Sequence, residues 1–204
     1  MRYILIIMTL LFSGVAFSAE IDMSNPNKVI QSVSSNTFAR ITAEEARLKA
    51  DPDYIQVVIE EELIPYFDYK YAAYKVLGAH LRKTTIEQRN GFVEAFRLYL
   101  VNSYSNILFK YDQQEVQISG NTNFKDATIV TIPVRVKDKN DKIVQLSFKL
   151  RKNQKSGEWK VFDVIAEGIS MLNTKQSEIS ELIQRQGVDH VIDLLEKKNS
   201  EFSS

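Results

Sequence analysis

The stretch Gly157–Leu172, GEWKVFDVIAEGISML, decides how the rest of the chain is read. Its first half alternates as a strand does. Trp159, Val161 and Asp163 are expected on one side, and Phe162, Val164 and Ala166 on the other. Both sides are largely apolar, so this strand is expected to be covered on two faces. It stops at Gly168, and a second apolar run begins at once with Ile169, Met171 and Leu172. Such a strand implies a deep interior. That interior is either a well-filled core or, in part, a cavity for an apolar ligand, and both readings stand at this point.

Upstream, residues 113–167 keep a period of two. Val116 and Ile118 alternate in a first strand. Val130, Ile132, Val134 and Val136 form one face of a second, opposite Thr131, Pro133, Arg135 and Lys137. Val144, Leu146, Phe148 and Leu150 form one face of a third. Asp138–Asp141 and Asn153–Gly157 supply polar turns, so four strands should form an antiparallel meander with one apolar face. Pro133 would suit an edge or a bulge.

Helical periodicity brackets this sheet. Asn25-Pro26 is a helix start, followed by Val29, Ile30, Val33, Phe38 and Ile41 up to a break at Asp51-Pro52-Asp53. A second helix runs from about Asp53 to Pro65. Phe67–Val76 is aromatic-rich, with a break at Gly78; the segment Asp68–Gly78, short and set between Pro65 and Gly78, is expected to have low local stability and to act as a gate, with Ile169–Asn173 as the next candidate. Thr85 and Gln88 have capping-box spacing before the stripe Phe92, Phe96, Tyr99, Leu100, Ser103, Ile107, which should end near Tyr111-Asp112. Gln176–Gln186 and Val188–Lys198 are helical, with Gly187 between them as a cap. Helices, then an antiparallel sheet, then helices make an α+β domain.

The first 19 residues read as a cleaved export signal: Arg2, the apolar run Ile4–Phe12, and small residues at Ala16 and Ser18. No Cys follows, so a lipoprotein anchor is excluded, and residues 20–204 are read as one domain. The absence of Cys also rules out disulfides and thiolate metal sites. The whole chain carries 26 basic and 26 acidic residues. Nucleic acid is therefore not expected as a partner, and there is no polybasic patch for stable membrane attachment.

Three blocks carry a resemblance. FDYKYAAYKVLGAHLRKTTIEQRNGFVEAFRLYLVNSY, Phe67–Tyr104, places Leu77, Gly78, Gln88, Phe92, Ala95, Phe96, Leu98, Leu100 and Tyr104 in a family-like pattern. The closing strand at Gly157–Leu172 and the tail Asp189–Asn199 agree in style and order. The chain resembles the toluene-tolerance, or MlaC, family of periplasmic phospholipid-binding carriers. That resemblance implies an NTF2-like cone, with N- and C-terminal helices wrapped against a curved four-stranded meander. It implies phospholipid as cargo, no other cofactor, and a monomer that shuttles lipid to maintain outer-membrane asymmetry. It also implies two partners, an outer-membrane lipoprotein–porin complex and an inner-membrane ABC transporter with a substrate-binding-domain hexamer.

The candidate lipid-binding residues combine the sheet face with the helix stripes expected to close over it. They are Val130, Ile132, Val134, Val136, Val144, Leu146, Phe148, Leu150 and Val164 on strands. On helices and turns they are Phe67, Tyr71, Tyr74, Leu77, Leu81, Phe92, Phe96, Leu100, Ile169 and Met171. The tyrosines either pack in the core or sit at a cavity rim, where their hydroxyls would meet a headgroup. Two other classes remain open. An NTF2-like isomerase or dehydratase would use Asp163 or Glu167 as a base in the cone. An interaction module would have a solid core. Nucleophilic catalysis has little support, since there is no Cys and no G-x-S-x-G. His80 and His190 have no second His or Cys at metal-ligand spacing.

Overall fold

Asn25 starts the first helix as its sequence suggests. The Asn25 side chain accepts hydrogen bonds from the backbone N–H groups of Asn27 (3.0 Å) and Lys28 (3.3 Å), with Pro26 in the first turn. The computed structural model describes residues 21–109, 115–119, 122–137 and 143–202. The expected export signal, the helix end near Tyr111-Asp112 and the turn Asp138–Asp141 lie outside the described residues. Six helices are described: α1 (Pro26–Ala43), α2 (Glu45–Ala50), α3 (Tyr54–Glu62), α4 (Tyr69–Leu77), α5 (Ile86–Leu108) and α6 (Met171–Glu201). The capping box of α5 forms in full: Thr85 Oγ1 accepts from Gln88 N–H at 3.1 Å, and Gln88 Oε1 accepts from Thr85 N–H at 3.0 Å. The two expected C-terminal helices are joined as α6, kinked at Gly187, whose φ of 85° only glycine adopts without strain.

The sheet runs β1 (Glu115–Ile118), β2 (Ile129–Lys137), β3 (Ile143–Lys152), β4 (Trp159–Ala166) and β5 (Ile169–Ser170), in that order, with every neighbouring pair antiparallel. The expected meander of four strands thus gains a fifth of two residues. A tight turn makes it, with Glu167 (φ 48°) and Gly168 (φ 82°) both left-handed. Pro133 lies inside the sheet, yet at a local edge. Its carbonyl accepts from Ser119 N–H at 3.0 Å, its nitrogen has no hydrogen to return, and the β1–β2 ladder stops there.

The reading of β4 needs correction. Leu150 pairs with Val161 but Lys149 pairs with Asp163, so Phe162 is an extra residue in a bulge. The alternation slips by one there. Val161, Val164 and Ala166 share a face with Leu150, Phe148 and Leu146, while Asp163 turns to the opposite side. The inserted Phe162 packs edge-on against Tyr71, with ring centroids 5.2 Å apart.

The bulge separates two hydrophobic clusters. One is helical and contains Ala72, Ala73, Val76 and Leu77 of α4, Phe92 and Phe96 of α5, Ile179 and Val191 of α6, and Phe162. The other lies on the apolar sheet face and contains Val29 and Ile30 of α1, Val130, Ile132, Val134, Leu150, Trp159 and Val161. Phe67 packs against both. The segment Asp68–Gly78 is therefore not a loose gate. Ala72, Ala73, Val76 and Leu77 have no exposed surface, because α4 sits between α5 and α6.

Candidate functional site

The register of β2 and β3 builds the candidate site. Val130 faces Leu150, Ile132 faces Phe148, Val134 faces Leu146 and Val136 faces Val144. Each is an apolar cross-strand pair on one face. The ladder widens on both sides. Val136 and Val134 pair with Val116 and Ile118 of β1, and Leu150, Phe148 and Leu146 pair with Val161, Val164 and Ala166 of β4. The result is an apolar surface four strands wide, made by period-two sequence in β1–β3 and by the bulge at Phe162 in β4.

Its two ends differ. Val130, Ile132, Val134, Leu150, Trp159 and Val161 are buried beneath Val29 and Ile30 of α1. Long-range bonds hold α1 there. The Asn27 and Thr122 groups bond reciprocally, Asn27 Nδ2 to Thr122 O at 2.9 Å and Thr122 N–H to Asn27 Oδ1 at 3.0 Å. Trp159 N–H donates to Met23 O at 2.8 Å, and Phe124 meets the Trp159 ring edge-on at 6.2 Å. At the other end Val136, Val144, Leu146, Phe148, Val164 and Ala166 are only half-buried. Cover is thus complete at the Val130–Leu150 rung and incomplete at Val136–Val144; on the rungs between, Ile132 and Val134 are buried while Phe148 and Leu146 opposite them are half-buried. The Trp159 Nε1–H is buried at the closed end without a hydrogen-bond partner in the structure.

The structure does not bring all the expected residues together. Leu77, Leu81, Phe92, Phe96, Leu100, Tyr71 and Tyr74 belong to the helical cluster and do not lie over the ladder. Tyr71 lies 4.2 Å beneath the Arg151 guanidinium, which pairs with Asp68 at 3.2 Å. Ile169 and Met171 are exposed at the β5 turn and the start of α6. Sequence alone does not single out the residues that close the face: Val29 and Ile30 belong to an ordinary helix stripe, and Phe124 stands outside any periodic pattern. A lone Trp at the head of a strand was the available signal, but which helix covers it depends on the long-range Asn27–Thr122 bonds.

The two carboxylates that an isomerase would use have structural work. Asp163 is buried and accepts from Ser170 Oγ (2.8 Å) and Leu172 N–H (3.0 Å), with Lys149 Nζ at 3.8 Å. Ser170 Oγ in turn accepts from Asn173 N–H, so Asp163 clamps the start of α6 to the sheet. Glu167 lies beyond the strand, exposed, and accepts from Gln145 N–H at 2.8 Å. Desolvation pushes the nearby Tyr104 phenol above its ordinary range, and the Asp163 charge adds to this. Among the described residues no three His, Asp or Glu side chains converge as a metal site, and no helix is long and apolar enough to cross a membrane.

Known proteins share this architecture. The family model of the MlaC protein matches residues 31–197. The chain belongs to the MlaC family. The MlaC relative from Haemophilus influenzae, an intermembrane phospholipid transport system binding protein, is 31% identical over 179 residues, covering 87% of this chain and 84% of its own. The toluene tolerance protein ttg2D of Pseudomonas putida is 24% identical over 165 residues, 80% of this chain and 75% of that one. A phospholipid-binding protein from Ralstonia solanacearum, solved with a phospholipid, has the same fold. Its TM-score is 0.77 at 20% identity, over 86% of this chain and 97% of that one.

Proposed function

We propose that this MlaC-family chain is a phospholipid carrier whose acyl chains lie on the apolar ladder of β1–β4, entering from its half-buried end. The observation that carries the reading is the gradient along that ladder, closed under α1 and open at Val144, Leu146, Phe148 and Val164. The task is physical. Two acyl chains hold about thirty CH₂ groups, and exposing them to water costs on the order of 25 kcal/mol at ~0.8 kcal/mol each. A protein surface as apolar as the bilayer cancels most of that cost. It must not exceed the bilayer by much, or release fails.

The setting is a periplasm, reached through the export signal at residues 1–19, with transfer between inner- and outer-membrane complexes. The helical residues Leu77, Phe92 and Phe96 pack with Phe162 in a separate cluster, and Phe67 touches both clusters. Asp163 serves the fold, which favours a carrier over an isomerase.

Native mass spectrometry of the chain purified from cells tests this, with a co-purifying phospholipid mass expected. Trp159 is the single tryptophan and sits at the closed end of the ladder. A phospholipid brominated near its chain ends should therefore quench the intrinsic fluorescence, and one brominated in the headgroup should not. Equal quenching by both would place the lipid elsewhere.

A further inference from the structure

Away from the sheet, α3 and α6 both pack on α5 but scarcely meet each other. A groove of about 650 Å³ lies between them. Its floor is a second stripe of α5, Leu98, Val101 and Asn102, which continues at Ser105 with i, i+3, i+4, i+7 spacing. Val57 of α3 forms an apolar wall, and both Val57 and Leu98 are 40% exposed. The charged residues lining the groove are all acidic: Glu60, Glu61 and Glu196. Arg97 holds Glu60 at 2.5 Å and Arg40 holds Glu61 at 2.6 Å, while Glu196 has no ion-pair partner among the described residues.

The groove runs on into a second hollow lined by Ser105 together with the exposed rings of Phe109 and Phe202. There the Ser105 hydroxyl is buried without a hydrogen-bond partner in the structure. We propose that this groove docks an amphipathic helix of a partner protein, one whose leucine-like side chains meet Leu98, Val101 and Val57 and whose Lys or Arg residues meet Glu61 and Glu196. The floor from Leu98 to Phe109 is about 16 Å long, which fits three turns of helix. A groove between two helices over a third suits a helix rather than a strand, because no free sheet edge lies there. The acidic rim disfavours an anionic lipid surface. Docking here is independent of lipid carriage, since the ladder and this groove share no residue.

The test uses the mature chain and two synthetic fourteen-residue amphipathic peptides, one of Leu and Lys, the other of Leu and Glu. Titration followed by amide NMR should show saturable one-to-one binding of the Lys peptide, with shifts confined to α3, α5 and the C-terminal half of α6. The Glu peptide should not bind. Leu98→Lys should weaken the Lys peptide at least tenfold. Glu196→Lys, at an exposed position where folding is not at stake, should weaken it several-fold. Lipid content by native mass spectrometry should be the same in both variants as in the parent. Shifts spread over the whole surface, shifts centred on the sheet, or unchanged affinity in both variants would overturn the proposal. Lipid-free protein that still binds the peptide in the groove would count against carriage and leave docking supported.

Discussion

At the residue scale, buried polar groups do more to define this molecule than any candidate catalytic group. Tyr104 gives a pH test. Its folded-state pKa lies above the ordinary value of 10.0, through desolvation first and Asp163 second. The stabilisation is complete below pH 10. As pH rises further the unfolded chain gives up this proton and the folded chain keeps it. Stability then falls by about 1.4 kcal/mol per pH unit for this one group. Tyr104→Phe should shallow the decline in unfolding free energy above pH 10 by that slope and leave the profile near neutrality flat. Denaturant titrations at several alkaline pH values measure it, and parallel curves would refute it. Asn199 gives a second test. Its Nδ2 donates to Ala95 O at 2.9 Å and its Oδ1 accepts from Asn102 at 3.2 Å, all buried. Asn199→Leu strands the buried Asn102 amide, while Ala95 O keeps its helical bond, and should cost ~1–3 kcal/mol in denaturant unfolding. Neither role is visible in sequence, where Asn199 is one more polar residue in a charged tail.

Elements were legible where their signals are local. The Thr85–Gln88 box reads from four residues because both of its bonds close within one turn. Thr85→Ala should therefore cost about 1 kcal/mol, seen as a lower urea midpoint at unchanged slope. The apolar sides of β2 and β3 were equally readable, since a period of two needs no partner to be recognised. The bulge at Phe162 was not readable. It exists because Asp163 is drawn to Ser170 and Leu172, nine residues on at most, across a turn whose geometry the sequence only hints at with Gly168. Gly168→Ala would force a Cβ into a left-handed backbone at a cost of ~1–2 kcal/mol. Nothing else lies within 4 Å of that Cβ, so the loss should be purely conformational. A variant as stable as the parent would mean that the turn has another conformation.

On the scale of the whole molecule, the apolar faces of β2 and β3 are legible in sequence, while the share of β4 in the ladder and the cover over it are not. Hydrophobic patterning says that a face must be buried, but it does not say by what. The helix stripes at Leu77–Leu81 and Phe92–Leu100 were the obvious candidates, and they pack with α4 and α6 instead. This changes where a blocking side chain belongs. Val134 is 2% exposed within the α1-covered cluster, so Val134→Trp overpacks it and should lower stability by ~1–3 kcal/mol. Leu146, its cross-strand neighbour, is only half-buried, so an added ring there is less confined. Leu146→Trp should melt close to the parent temperature while losing most of its co-purifying phospholipid in native mass spectra. The two variants add the same ring to neighbouring positions of one face, so they separate packing from occupancy. If Leu146→Trp keeps a full complement of lipid, the acyl chains do not enter along β3 and β4, and the proposed path across the ladder falls.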